Sequence, residues 1–143
     1  MLERIEHQNQ LLAIIIGNQF KQEGIAFFTE DTFSQQLGYM NRPKGYKIPP
    51  HRHNIVSREV TLTQEVLFIR SGKVRVDFYD EEQNYLKSRV LEKGDVILLA
   101  SGGHGFEMIE PSEMIEVKQG PYVGERDKVR FDSVHNDQIN IKE

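Results

Sequence analysis

Short segments rich in β-forming residues, each closed by a turn signal, fill the middle of the chain. Lys73 to Tyr79 alternates apolar and polar side chains, and this period of two predicts a half-buried strand. Residues 96–100 are continuously apolar, which predicts a strand buried on both faces. Short strands separated by turns at intervals of roughly 8–12 residues predict an all-β sandwich or barrel. The other predicted strands are residues 25–29, 36–41, 66–70, 85–91, 106–109 and 114–118.

Two patterns compete in residues 1–20. Several apolar residues lie at multiples of three or four, which predicts a short amphipathic helix that ends near Gly17. The β-branched run 14–16 leaves a strand as the alternative. We predict one domain over residues 1–143, with an N-terminal helix or arm at 1–20, a barrel at about 24–120 and a polar C-terminal tail at 121–143. The apolar residues of the helical pattern are Leu2, Ile5, Leu12 and Ile16.

Composition excludes several classes of protein. The net charge of -4 argues against a nucleic-acid binder, which normally carries a basic face. The chain has no cysteine, so disulfides and thiolate metal sites are excluded. The longest apolar run, residues 11–16, is far shorter than the ~20 residues that cross a bilayer. Glu3 and Glu6 lie where a secretory signal would be basic, so we expect a cytoplasmic protein with no membrane partner.

Four potential metal ligands are the most specific chemical signal in the chain: His51, His53, Glu65 and His104. Side chains at positions i and i+2 of an extended segment point to the same face, so the two histidines of the pair can act together. By the same parity Glu65 shares its strand face with Leu67, and the apolar company predicts an interior position. Ionisable groups on an apolar face need a partner, and one divalent transition metal would satisfy all four.

These residues resemble the two motifs of the cupins. The first motif is a glycine, an HxH pair, a glutamate and a later glycine; the second begins with Gly-Asp and ends near a histidine. The resemblance implies a double-stranded β-helix, also called a jelly-roll barrel, that holds one metal ion, such as iron, manganese, nickel or zinc. The positions that match are Gly45, His51, His53, Glu65 and Gly72 for the first motif, and Gly94, Asp95, Gly102, Gly103 and His104 for the second.

The chain departs from the cupin pattern in both motifs. The separation of His53 from Glu65 is longer than usual, so the loop 54–63 must bulge outward, and Glu59 is a rival for the carboxylate ligand. In the second motif Ala100 replaces the usual proline and Met108 the usual asparagine, and the histidine arrives one residue early. These departures affect the geometry expected around the fourth ligand.

Residues 116–122, EVKQGPY, are similar to a run found in the WbuC-like group of cupins. That resemblance implies a role in surface-polysaccharide biosynthesis, with a sugar or sugar nucleotide as substrate. Acid and base groups for isomerisation or epimerisation would then be needed near the metal, although no catalytic residue is identified. The candidates are Tyr46, Glu107, Glu116 and Lys118.

Three kinds of function remain open from the sequence. The first is a small metal-dependent enzyme, and the second is a non-catalytic sugar-binding or regulatory module with a structural metal. The third is a purely structural metal site, with partners bound outside the barrel. A metal-free sugar isomerase with a histidine base is a further alternative, although it does not need four ligands. We also expect a small-molecule ligand in the barrel and a homodimer, because bare strand edges favour pairing.

Overall fold

The computed structural model describes residues 1–141. The fold is all-β, as predicted, with two short 3₁₀ turns, and every strand predicted between residues 25 and 118 forms, with ends shifted by a few residues. No helix in these residues is long and apolar enough to cross a membrane. The strands are β1 (Leu2–His7), β2 (Gln10–Ile16), β3 (Gly24–Phe27), β4 (Gly38–Asn41), β5 (Glu65–Ser71), β6 (Lys73–Tyr79), β7 (Tyr85–Glu92), β8 (Val96–Leu99), β9 (Gly103–Met108) and β10 (Glu113–Lys118).

Two antiparallel sheets enclose the main hydrophobic core. A five-stranded sheet has the order β1-β2-β8-β5-β10, and a three-stranded sheet has the order β7-β6-β9. The sheets of the described chain do not close into a barrel, so β10 and β9 remain edge strands. The core between them contains side chains from both sheets, among them Ile5, Ala13, Ile15, Leu67, Ile69, Val74, Val76, Phe78, Ile97 and Leu99.

The predicted N-terminal helix is wrong: residues 2–16 form a β-hairpin. Gln8 and Asn9 have positive φ angles of 50° and 64°, which suits a tight two-residue turn between paired strands. Strand β2 is buried on both faces, with Ile15 in the main core and Ile14 in a second cluster. Because consecutive residues are buried, the apolar–polar alternation that would indicate a strand is absent. The β-branched residues 14–16 are then the feature that favours a strand.

A small hairpin covers the outer face of the five-stranded sheet. Strands β3 and β4 form their own two-stranded sheet, and Phe28 and Leu37 beside it pack on Ile14 and Leu98. This second cluster explains why β8 is continuously apolar, as predicted, because both of its faces are covered.

Two motif positions shape the turns of the sandwich. Gly72 joins β5 to β6 with a φ of 85°, a conformation that favours glycine. The Asp95 carboxylate accepts backbone N–H bonds from Asn18 and Glu92, each of 2.7 Å, which fixes the turn before β8. These two positions therefore have structural roles close to the core.

Candidate functional site

Glu65 and His104 meet across the two sheets. His104 Nε2 lies 3.0 Å from Glu65 Oε2, although the two residues come from β5 and β9. The Glu65 side chain is 12% exposed and the His104 side chain 29% exposed, so the pair lies at the rim of the core. Glu65 shares its strand face with buried Leu67, as its parity predicts, and His104 shares its face of β9 with Phe106, which packs against the core.

Glu116 joins this pair from the neighbouring strand. The hydrogen bond from His104 lowers the pKa of Glu65, while burial opposes the change and Glu116 adds a further hydrogen bond. The same bond to Glu65 raises the pKa of Glu116, and burial adds to the increase. Glu116 pairs with buried Leu67 across the β10–β5 ladder, so it lies on the inner side of β10, although it is itself exposed at this edge; its neighbours Ile115 and Val117 are exposed on the outer side.

His51 and His53 lie away from the pair on a long exposed segment. Residues 42–63, which we call the arm, contain no strand, and every residue of the arm is exposed. The two imidazole rings lie 5.4 Å apart, as expected for neighbours on one face of an extended chain. His51 Nδ1 lies 2.9 Å from the Pro49 carbonyl, which can accept its N–H; in the neutral ring with that tautomer, Nε2 is the nitrogen that can bind a metal.

The structure thus places the four predicted ligands in two separate pairs. Within residues 1–141, no group of three or more histidine or acidic side chains is close enough to hold a metal ion. The donor types nevertheless suit a divalent transition metal, because imidazole nitrogen and carboxylate oxygen are its ordinary ligands. Metal bonds of about 2.1 Å at right angles would place two donors about 3.0 Å apart, which is the separation of the Glu65 and His104 atoms.

The other acid and base candidates fall at different places. Glu107 lies on the outer face of the three-stranded sheet, where it binds Arg75 at 3.3 Å. Tyr46 is exposed on the arm, with Arg42 over its ring. Lys118 pairs with Glu65 across the β10–β5 ladder, so it shares the side of Glu65 and Glu116. Glu59, the rival carboxylate, is exposed on the arm.

A buried polar network on the opposite face of the three-stranded sheet was not predicted. Arg75 binds both carboxylate oxygens of Asp77, at 2.8 and 3.1 Å, and Ser88 donates to Asp77 at 2.5 Å. Residues of the C-terminal segment cover this face, with Phe131 against Tyr79 and Asn140 bonded to β7. The alternation of β6 correctly separates its two faces, but both are buried rather than one. The pattern within β6 holds no signal for this cover, because it comes from a distant segment.

A cleft of about 1230 Å³ with a mixed polar and apolar lining lies between the base of the arm and residues 30–36. Gln64 contributes to its wall, although its neighbour Glu65 points to the other face of the sheet. The Gln64 amide accepts from the Gln35 backbone at 3.1 Å, and Gln35 donates to Gln119 at 3.0 Å. Amides and hydroxyls of this kind suit a polyhydroxylated ligand.

No family model matches the chain, and neither does any curated protein or solved structure. The resemblance to the cupins therefore rests on the motif residues alone.

Proposed function

We propose that the chain is a cupin-type metal-binding protein that acts as a small metal-dependent enzyme on a sugar or sugar nucleotide. Its site would consist of His51, His53, Glu65 and His104. The observation that carries the proposal is the 3.0 Å approach of His104 to Glu65 from two facing sheets. A carboxylate oxygen and an imidazole nitrogen held this close together are both ordinary ligands of a divalent transition metal.

The histidine pair supports this proposal through its chemistry. The contact with Pro49 orients the His51 ring and holds the proton on Nδ1, an arrangement typical of metal-ligating histidines. His53 lies beside it on the same segment. The arm has to fold against the edge beside β9 to bring the pair to Glu65 and His104.

The residues around Glu65 and His104 suggest which groups would take part in a reaction. A bound divalent ion would supply a Lewis acid for a hydroxyl or carbonyl oxygen. Glu116 lies on the same inner side of the strands as Glu65 and would be the carboxyl group that exchanges a proton with a bound ligand. The cleft lined by Gln64 has amide and hydroxyl groups that suit a sugar, but it lies on the other face of the five-stranded sheet, so it supports sugar binding and not contact of that sugar with the metal.

Cobalt titration tests the metal site. Co²⁺ is added to the chelator-treated protein and followed by its visible absorption and by calorimetry. The wild type should bind one ion per chain, whereas His51→Ala and Glu65→Gln should each weaken binding by at least about tenfold. His135→Ala, in the exposed tail, is the control and should bind like the wild type. Equal binding by all four proteins would contradict the proposed site.

A metal-free function is the second candidate. The hydrogen bond between His104 and Glu65 is itself the arrangement of a histidine general base oriented by a carboxylate. Here the arm histidines would have no role in the chemistry. Sugar binding or turnover that survives both exhaustive chelation and His51→Ala, but is lost in His104→Ala, would favour this candidate over the metal site.

A further inference from the structure

The arm is extended in a way that a single protomer does not explain. Its apolar side chains project into water, and Ile55 is completely exposed. In residues 47–62, no backbone group bonds to the sheets within the described chain. Covering such side chains lowers the free energy of the protein, and the surface of another molecule can supply that cover. The exposed apolar residues of the arm are Tyr46, Ile48, Ile55, Val56, Val60 and Leu62.

The net charges of the arm and of the rest of the chain indicate which molecule supplies that surface. The arm carries five Lys or Arg residues and one Glu, so its net charge is +4. Because the whole chain carries -4, the remainder of the protomer carries -8. We call the chain outside the arm the body. The negative charge of the body of a second copy therefore attracts the arm, which favours specific association.

The body also offers a matching place for a strand. β9 pairs with β6 on one side, and its other edge is free in the described chain. On the outer face of β5 and β10, Phe68, Ile115 and Val117 are exposed and form an apolar patch. An extended segment can add to a free edge through its backbone, and its apolar side chains can cover such a patch.

We propose that two copies of this chain exchange arms, so that His51 and His53 of one protomer complete the site of Glu65 and His104 in the other. Each arm has 22 residues, which matches the roughly 20–30 residues per side of a standard interface. The part of this inference that concerns the metal rests on the proposed function. The exchange of the arms does not, and it is tested separately.

A mixing experiment tests completion between copies. One protein carries His51→Ala and His53→Ala, and the other carries Glu65→Gln and His104→Ala. Neither should bind Co²⁺ alone, and circular dichroism verifies that both are folded. After joint unfolding and refolding, the mixture should bind about a quarter of the wild-type Co²⁺, because half of the random dimers are mixed and each has one intact site. A mixture that binds none, beside a wild type that does, would show that each arm serves its own body.

The oligomeric state tests the exchange without any metal. Light scattering of the chelated wild type should give a dimer at micromolar concentration, and Ile55→Glu should give a folded monomer. Val129→Glu, at an exposed apolar position outside the arm, is the control and should remain a dimer. A wild-type monomer, or a dimer that persists in Ile55→Glu, would overturn arm exchange even if the metal site is correct. Conversely, an arm-dependent dimer that binds no Co²⁺ would retain the exchange and reject the metal site.

Discussion

His104 Nε2 approaches Glu65 Oε2 to 3.0 Å from the opposite sheet, so that an imidazole and a carboxylate are hydrogen-bonded at the rim of the core. Their contact holds the pKa of Glu65 below its ordinary value of 4.5. A carboxyl group with a lowered pKa in the folded state adds stability above its unfolded pKa. That contribution disappears as the pH falls through the folded value.

The stability of the metal-free protein should therefore depend on Glu65 in acid. Relative to Glu65→Gln, the wild type should lose free energy of unfolding as the pH falls below 4.5. Above that value, titration of Glu65 should leave the difference unchanged. Urea unfolding between pH 3 and pH 7 in the presence of a chelator measures this difference. Parallel curves for the two proteins across the acid range would contradict the role assigned to the His104 contact.

The turn at Gly72 should not tolerate a side chain. A Cβ atom there would clash with the Pro111 carbonyl and with Ser112, and the φ angle is 85°. We expect Gly72→Ala to lower the free energy of unfolding by about 2–4 kcal/mol, from strain and overpacking together. Gly124→Ala is the matched control, because Gly124 also has a positive φ but has open space around it. Its cost should be about 1 kcal/mol, and equal costs would argue against a close contact at Gly72.

The buried network beneath the C-terminal segment should be a major source of stability. Asp77→Ala leaves the Arg75 guanidinium nearly buried without its bidentate partner, which typically costs about 3–5 kcal/mol. Glu107→Ala removes the other acidic partner of Arg75. Because the Glu107 side chain is half exposed, this change should lower the free energy of unfolding by about 1 kcal/mol or less. Chemical denaturation of both variants provides the comparison. Similar losses in the two would mean that Asp77 is not the principal partner.

Local patterns predict the strands of the middle of the chain well. Alternation in β6 and the turn residues around it are properties of short segments, and the structure keeps them. The N-terminal hairpin is different, because Ile14 and Ile15 are buried on opposite faces and leave no alternation to detect. Burial of Asp77 likewise depends on residues more than fifty positions away in the sequence.

The candidate site likewise contains some residues whose positions follow from local sequence patterns and others whose positions do not. Strand parity explains why Glu65 and His104 face inward, because each shares its strand face with residues of the core or packed against it. The meeting of these two side chains follows once the sheets pack face to face. The position of His51 and His53 has no comparable local determinant, because the arm between Asn41 and Glu65 has no strand of its own. Composition and spacing therefore do not specify its location.

Anomalous X-ray scattering tests the central claim most directly. Crystals grown with Co²⁺ should show one strong anomalous peak per chain, with Glu65 and His104 within about 2.0–2.3 Å of it. The same peak should lie at bonding distance from His51 and His53, contributed by the arm of the second protomer. A fully loaded crystal in which the ion lies elsewhere, or in which Glu65 and His104 still bond to each other with no ion beside them, would contradict this account.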